Sequence, residues 1–297
     1  MAVDTGVIEQ FNSFRSSAGD RVDAVRLSSA GARPQGASVD KENGMRKCLS
    51  AGAAVAAGAV TFMLAGMVYS AEIRVIASAA IKESYQELVP EFEKVSNHKV
   101  VTLWSGTADI MKRVKAGETA DLIILGSNSI DELTSLGKIV PGSRVDLMKS
   151  GIGAAVRAGA QGPDISSGEA LKRTLLSAKS IAYSTGPSGV YLDGLFQRMG
   201  IANELKPKLK QPPSGGSVAE MLARGEAEIG FQQVSELVHA GGIDYLGPLS
   251  PDVQQITVFS SGICISAKES IAAKALVMHL RSPAAMPIIR KNGMEPG

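Results

Sequence analysis

The chain has 297 residues, and its 31 Lys and Arg nearly balance its 29 Asp and Glu, for a formal net charge of +2. No block of like charge and no basic helix stands out, which argues against binding to nucleic acid or to a membrane surface. Of two cysteines only Cys264 lies beyond the N-terminal region. That part can form no internal disulfide, and Ile263 and Ile265 on either side predict a thiol buried in a strand.

Residues 1–44 are rich in Ser, Gly, Ala and charge with little periodicity, a composition that predicts disorder. They read as a disordered or mis-assigned extension ahead of Met45. Residues 45–70 have the three parts of a secretion signal. Arg46 and Lys47 form a basic start, Ala51 to Met67 is a small and apolar run, and Ser70 offers a small residue for cleavage before Ala71. A retained anchor needs about 20 strongly apolar residues, and this run is short and rich in Ala and Gly. Cys48 precedes the run, so the lipoprotein arrangement is absent. The expectation is an exported, periplasmic protein whose mature chain begins near Ala71.

From there strands alternate with amphipathic helices. Ile73–Ala77 is a strand, and Ile81–Lys94 a helix with Leu88, Phe92 and Val95 at helical spacing. Val100–Trp104 is a strand, Ala108–Lys115 a helix closed by Gly117, Asp121–Leu125 a strand, and Ser129–Leu136 a helix ended by Gly137. A second series begins at Ile152–Arg157. Its strands are Ser180–Tyr183, Glu228–Phe231 and Asp244–Leu246, and its helices Gly168–Ser177, Gly189–Met199 and Ser217–Arg224. A strand pair near Gln255–Ser266 leads to closing helices at Ala267–Leu280 and Pro283–Lys291. This alternation predicts an α/β fold with mostly parallel sheets flanked by helices.

The candidate site lies at the turns. Ala77-Ser78-Ala79-Ala80, Ser105-Gly106-Thr107, Thr185-Gly186-Pro187-Ser188-Gly189 and Ser214-Gly215-Gly216-Ser217 are small, hydroxyl-rich and each precedes a helix. Such turns leave the first N–H groups of a helix free and present the positive end of its dipole. Small residues let an anion approach those groups closely, and hydroxyls add neutral donors. Each turn alone also reads as an ordinary helix cap. Four at corresponding positions point to an oxyanion cradle.

IRVIASAAIKESYQELVPEFEK, WSGTADIMKRVKAGETADLIIL, GPSGVYLDGLF and RSPAAMPIIRKNGME together resemble the periplasmic molybdate-binding proteins, the solute-binding components of ABC importers. The resemblance spans the mature chain. It implies a two-lobed type 2 periplasmic-binding fold with a two-stranded hinge, lobe I at 71–150 and 260–297 and lobe II at 151–259, closing on ligand. It also implies a monomer that serves a membrane permease, with no cofactor and no nucleic acid. Carried over by position, the family's first ligand hydroxyl falls at Ala80, with Ser78 two residues earlier. The second falls at Thr107 beside Gly106. Backbone donors correspond to Ser188, beside Gly189, and to Gly215, and the family's tyrosine falls at Gln233. The resemblance thus implies a molybdate- or tungstate-like oxyanion. The changes at Ala80 and Gln233 suit a small organic carboxylate as the alternative, although no arginine stands at a site position to clamp one.

Chemistry is not expected of these residues. A Ser188 nucleophile, for a hydrolase or transferase, would need a positioned base, and His98, His239 and His279 lie outside the predicted turns. Three scattered histidines and one cysteine show no metal-ligand spacing. Trp104 reads as core, and Asp109 and Asp121 as capping and strand-end residues.

Overall fold

The computed structural model describes residues 70–297; the predicted extension and signal lie outside the described residues. Two mixed sheets are each covered by helices on both faces. The first lobe opens with β1 (Glu72–Ser78), α1 (Lys82–Ser96), β2 (Lys99–Ser105), α2 (Thr107–Lys115), β3 (Leu122–Gly126), α3 (Ser127–Ser135) and β4 (Val145–Ser150). The second holds β5 (Ile152–Arg157), α4 (Gly168–Ser177), β6 (Ile181–Tyr183), α5 (Pro187–Arg198), α6 (Ala202–Leu205) and β7 (Leu209–Lys210). It continues with α7 (Val218–Ala223), β8 (Ile229–Gln233), α8 (Val234–Leu237) and β9 (Ile243–Pro248). The chain then returns through β10 (Thr257–Ile263), α9 (Ser270–Leu280), α10 (Ala285–Lys291) and β11 (Glu295–Pro296).

The strand orders are β2-β1-β3-β10-β4-β11 and β7-β6-β8-β5-β9. The parallel arrangement expected of strand–helix units holds within β2-β1-β3 and β7-β6-β8. The remaining pairings, those of β10, β4, β11, β5 and β9, are antiparallel. β10 and β5 enter their sheets directly from the other lobe, with no crossover helix to reverse the chain. In place of the expected strand pair near 255–266 there is one strand, β10, set between β3 and β4. β4 itself, with its mixed VDLMKS sequence, had no signal to set it apart.

Period-two alternation splits each strand between two apolar layers. In β3, Leu122 and Ile124 join the core under α1 and α9, while Ile123 and Leu125 join the core under α2 and α3. In β6, Ile181 and Tyr183 face the α4 and α5 layer, and Ala182 faces α7. α1 buries Tyr85, Leu88, Val89 and Phe92, one helical stripe. Each fully buried side chain of this size contributes about 1.5–3 kcal/mol. Such layers hold the strand ends, and so the site, in place.

Three expectations about single residues meet their partners. Trp104 packs edge-on to Tyr85 at 5.2 Å between centroids, against the first core. Asp121 accepts from the N–H groups of Arg74 (2.8 Å), Lys268 (2.7 Å) and Glu269 (2.9 Å), tying the edge of β3 to the approach to α9. Cys264 is free and buried just past β10, with its thiol pushed up to about 12 by burial, next by the nearby Asp121 charge.

Candidate functional site

The carboxyl ends of β1, β2, β6 and β8 converge, with the loop before α7, on one cleft between the lobes. Open α/β sheets place ligands at this edge. Ser78 to Ala80, Ser105 and Gly106 line it from the first lobe. Ser184, Thr185, Gly186, Gly215, Gly216, Gln232 and Glu236 line it from the second.

The lobes touch across it through backbone. Gly106 N–H donates to Ser214 Oγ (3.0 Å), Ser214 and Ser105 hydroxyls pair at 2.9 Å, and Ser105 Oγ donates to Asp109 Oδ2 (2.8 Å). Ser235 Oγ donates to Ala80 O at 2.7 Å, a third cross-lobe bond. This approach requires glycine on both sides. A Cβ on Gly106 would stand 2.6 Å from Thr185 Oγ1, and one on Gly215 2.9 Å from Ser105 Cα. Gly215 also has φ +74°, in the left-handed region.

Of the predicted residues, Ser78, Ala80, Gly106 and Gly215 meet in this cleft. Ser78 Oγ caps the short turn that follows, accepting from Ala80 N–H at 3.4 Å. Thr107 starts α2 at the margin, lining an adjoining opening with Gly126 and Pro187, and its Oγ1 is buried with no hydrogen-bond partner. Ser188 and Gly189 do not line the cleft. Ser188 is fully buried, its hydroxyl is 2.8 Å from Ser184 Oγ, and that oxygen also accepts from the N–H groups of Gly186 and Gly189 (3.2 Å each). Ser184 thus occupies the donors that the turn seemed to leave free. A Ser188 nucleophile has no base: His98 accepts from Ala71 N–H, His279 bonds Leu88 O, and His239 bonds Lys291 O.

Gln233 is fully buried but serves the hinge. With its amide nitrogen toward the crossover, it donates to Ser150 O (3.1 Å) and Gly151 O (3.0 Å) and accepts from Thr257 Oγ1 (3.0 Å). Its neighbour Gln232, on the opposite face of β8, lines the cleft instead. The shift is one residue, enough in a strand to reverse the face. Gln232 Oε1 accepts from Val218 N–H at the start of α7 (2.9 Å), and its Nε2 donates to Glu236 Oε1 (2.7 Å).

Glu236 had no signal in the sequence, where it resembles any helical glutamate. It stands on the partition between the cleft and a wider chamber of about 420 Å3 that is lined also by Lys82, Glu83, Glu220 and His239. Burial pushes its carboxyl up to about 8, against the lowering effect of the Gln232 amide and the Gln233 N–H; Glu83 adds a smaller push upward. Its remaining exposure is where it lines these two spaces. Among the described residues no group of three His, Cys, Asp or Glu side chains could hold a metal ion, and no helix is long and apolar enough to cross a membrane.

The family model described as bacterial extracellular solute-binding protein matches residues 73–295. An aconitate isomerase of a Pseudomonas species is 36% identical over 230 residues, 75% of this chain and 87% of that protein. A molybdate-binding protein of Azotobacter vinelandii is 28% identical over 240 residues, 78% of this chain and 92% of that one. The solved structure of an Azotobacter vinelandii periplasmic molybdate-binding protein superposes with a TM-score of 0.63 at 19% identity, over 75% of this chain and 98% of that chain.

Proposed function

The chain belongs to the bacterial extracellular solute-binding proteins, in the group that includes the molybdate-binding proteins, and from that premise we propose that it captures a small organic polycarboxylate between its lobes. In this reading the protein is exported to the periplasm and serves a membrane permease. The lobes close on the anion by bending at the two crossovers. Hydroxyls and N–H groups hold one end of the ligand without formal positive charge.

One observation carries the choice of ligand. The cleft shares Ala79, Gly215, Gly216, Gln232 and Glu236 with the wider chamber, whose wall holds Lys82 and His239. The absence of a cationic group favoured a tetrahedral oxyanion on sequence grounds; Lys82 supplies one in the wall of the chamber that adjoins the cleft. The 36% identity to an aconitate isomerase supports a tricarboxylate. A compact oxyanion is the second reading, favoured by the neutral donors at the cleft floor and by the molybdate-binding relatives.

A thermal-shift series on the mature protein separates the two. Trans-aconitate or citrate at about 100 times its dissociation constant should stabilise by about 2.7 kcal/mol, with molybdate and sulfate without effect. Stabilisation by molybdate alone would reverse the assignment.

A further inference from the structure

We propose that Glu236 shuttles a proton between two carbons of a bound unsaturated polycarboxylate, so that the protein moves the double bond of its ligand as well as holding it. This rests on the polycarboxylate reading of the cleft. The reaction class is the one named for the 36% identical aconitate isomerase, and the new element is its assignment to Glu236, an activity that the sequence reading did not expect.

The case begins with position. Glu236 faces both the cleft and the chamber, so a ligand spanning the two passes its carboxyl. Its Oε1 is held by Gln232 at 2.7 Å, and Gln232 is itself fixed by Val218 N–H, which orients the group. Around it stand hydroxyls and backbone groups of both lobes, brought close together at Gly106 and Gly215.

The chemistry needs one such group. In a tricarboxylate with a methylene next to a carboxyl-bearing double bond, the methylene C–H is acidic because its anion spreads into the alkene and the carboxylates. Ionised Glu236 takes that proton, and the C–H electron pair forms the new double bond. The old double-bond pair takes a proton from the Glu236 carboxyl at the former vinyl carbon. One proton leaves and one returns, no oxidant or reductant is consumed, and Glu236 ends ionised as it began. The Ser78 and Thr185 hydroxyls, which accept backbone N–H bonds and keep their own protons to donate, line the cleft beside this charge.

The charged groups facing Glu236 across the chamber are Lys82, Glu83, Glu220 and His239. Burial, with a smaller contribution from Glu83, holds the carboxyl near the range where a base is half ionised at neutral pH, the range in which a proton shuttle is most effective.

The test uses trans-aconitate in D2O with the mature protein, following interconversion with the cis isomer by proton NMR, and binding by thermal shift. The wild type should interconvert the isomers and place deuterium on carbon, faster as pH rises toward about 8. Glu236→Gln should bind trans-aconitate but lose at least about 100-fold in rate. Glu236→Asp, which keeps the carboxyl, should recover part of it. Wild type that binds without conversion or deuterium uptake would overturn the inference and leave the binding function standing, and so would conversion undiminished in Glu236→Gln. Wild type that fails to bind trans-aconitate would overturn the inference, and failure with citrate as well would overturn the binding reading too.

Discussion

Thr107 shows how one side chain can be read twice. As the first residue of α2 its hydroxyl could cap the helix, yet Oγ1 is buried with no partner. Leaving a buried hydroxyl unpaired costs about 1–3 kcal/mol, which is tolerable where a bound anion supplies the missing acceptor. Thr107→Val keeps the shape and removes the oxygen. Denaturant unfolding of the free protein should therefore show no loss of stability. Calorimetry with the anion selected by the thermal series should show a loss of about 1–3 kcal/mol of binding. Equal affinity in the variant would mean that the hydroxyl serves packing alone. The serine of the GPSG turn went the other way, since Ser184 had already taken its N–H groups.

Among the elements, the loop before α7 carries the contact between the lobes. Gly215 bends back at φ +74° and lies against Ser105 and Gly106 of the other lobe. Gly215→Ala should weaken anion binding by at least tenfold through two causes, left-handed strain of about 1–2 kcal/mol and a Cβ 2.9 Å from Ser105 Cα. Gly200→Ala separates them. Its φ is +73° with nothing within 4 Å of the added Cβ, so it should lower stability by a similar amount and leave calorimetric affinity intact. Equal affinity loss in both variants would remove the closure argument.

At the scale of the whole molecule the hinge is two short crossings held by glutamine side chains. Gln254 Oε1 accepts from Ile152 N–H (2.7 Å), and its Nε2 donates to Ile152 O (3.0 Å) and Leu249 O (3.2 Å), as a neighbouring strand would. Gln233 does the same for Ser150, Gly151 and Thr257. Gln233→Met should lower stability by about 1–3 kcal/mol, because it strands buried partners. Small-angle scattering without anion should show a more expanded particle than wild type. An unchanged scattering profile and unfolding midpoint would show that the hinge does not depend on this amide.

The strand–helix order, the small turns and the helix stripe of Leu88 and Phe92 were legible in the sequence, because each depends on a local period or on a residue type with few roles. So were the helix-leading turns at Ser78, Gly106 and Gly215 and the structural parts played by Asp121 and Cys264. Which glutamine faces the ligand was not legible, since Gln232 and Gln233 differ only by the face of β8 that the register assigns. Glu236 was also beyond reach. A carboxyl becomes an acid or a base through the walls around it, and those walls come from residues as far apart as Ser78 and Gly216, brought together only by the tertiary fold.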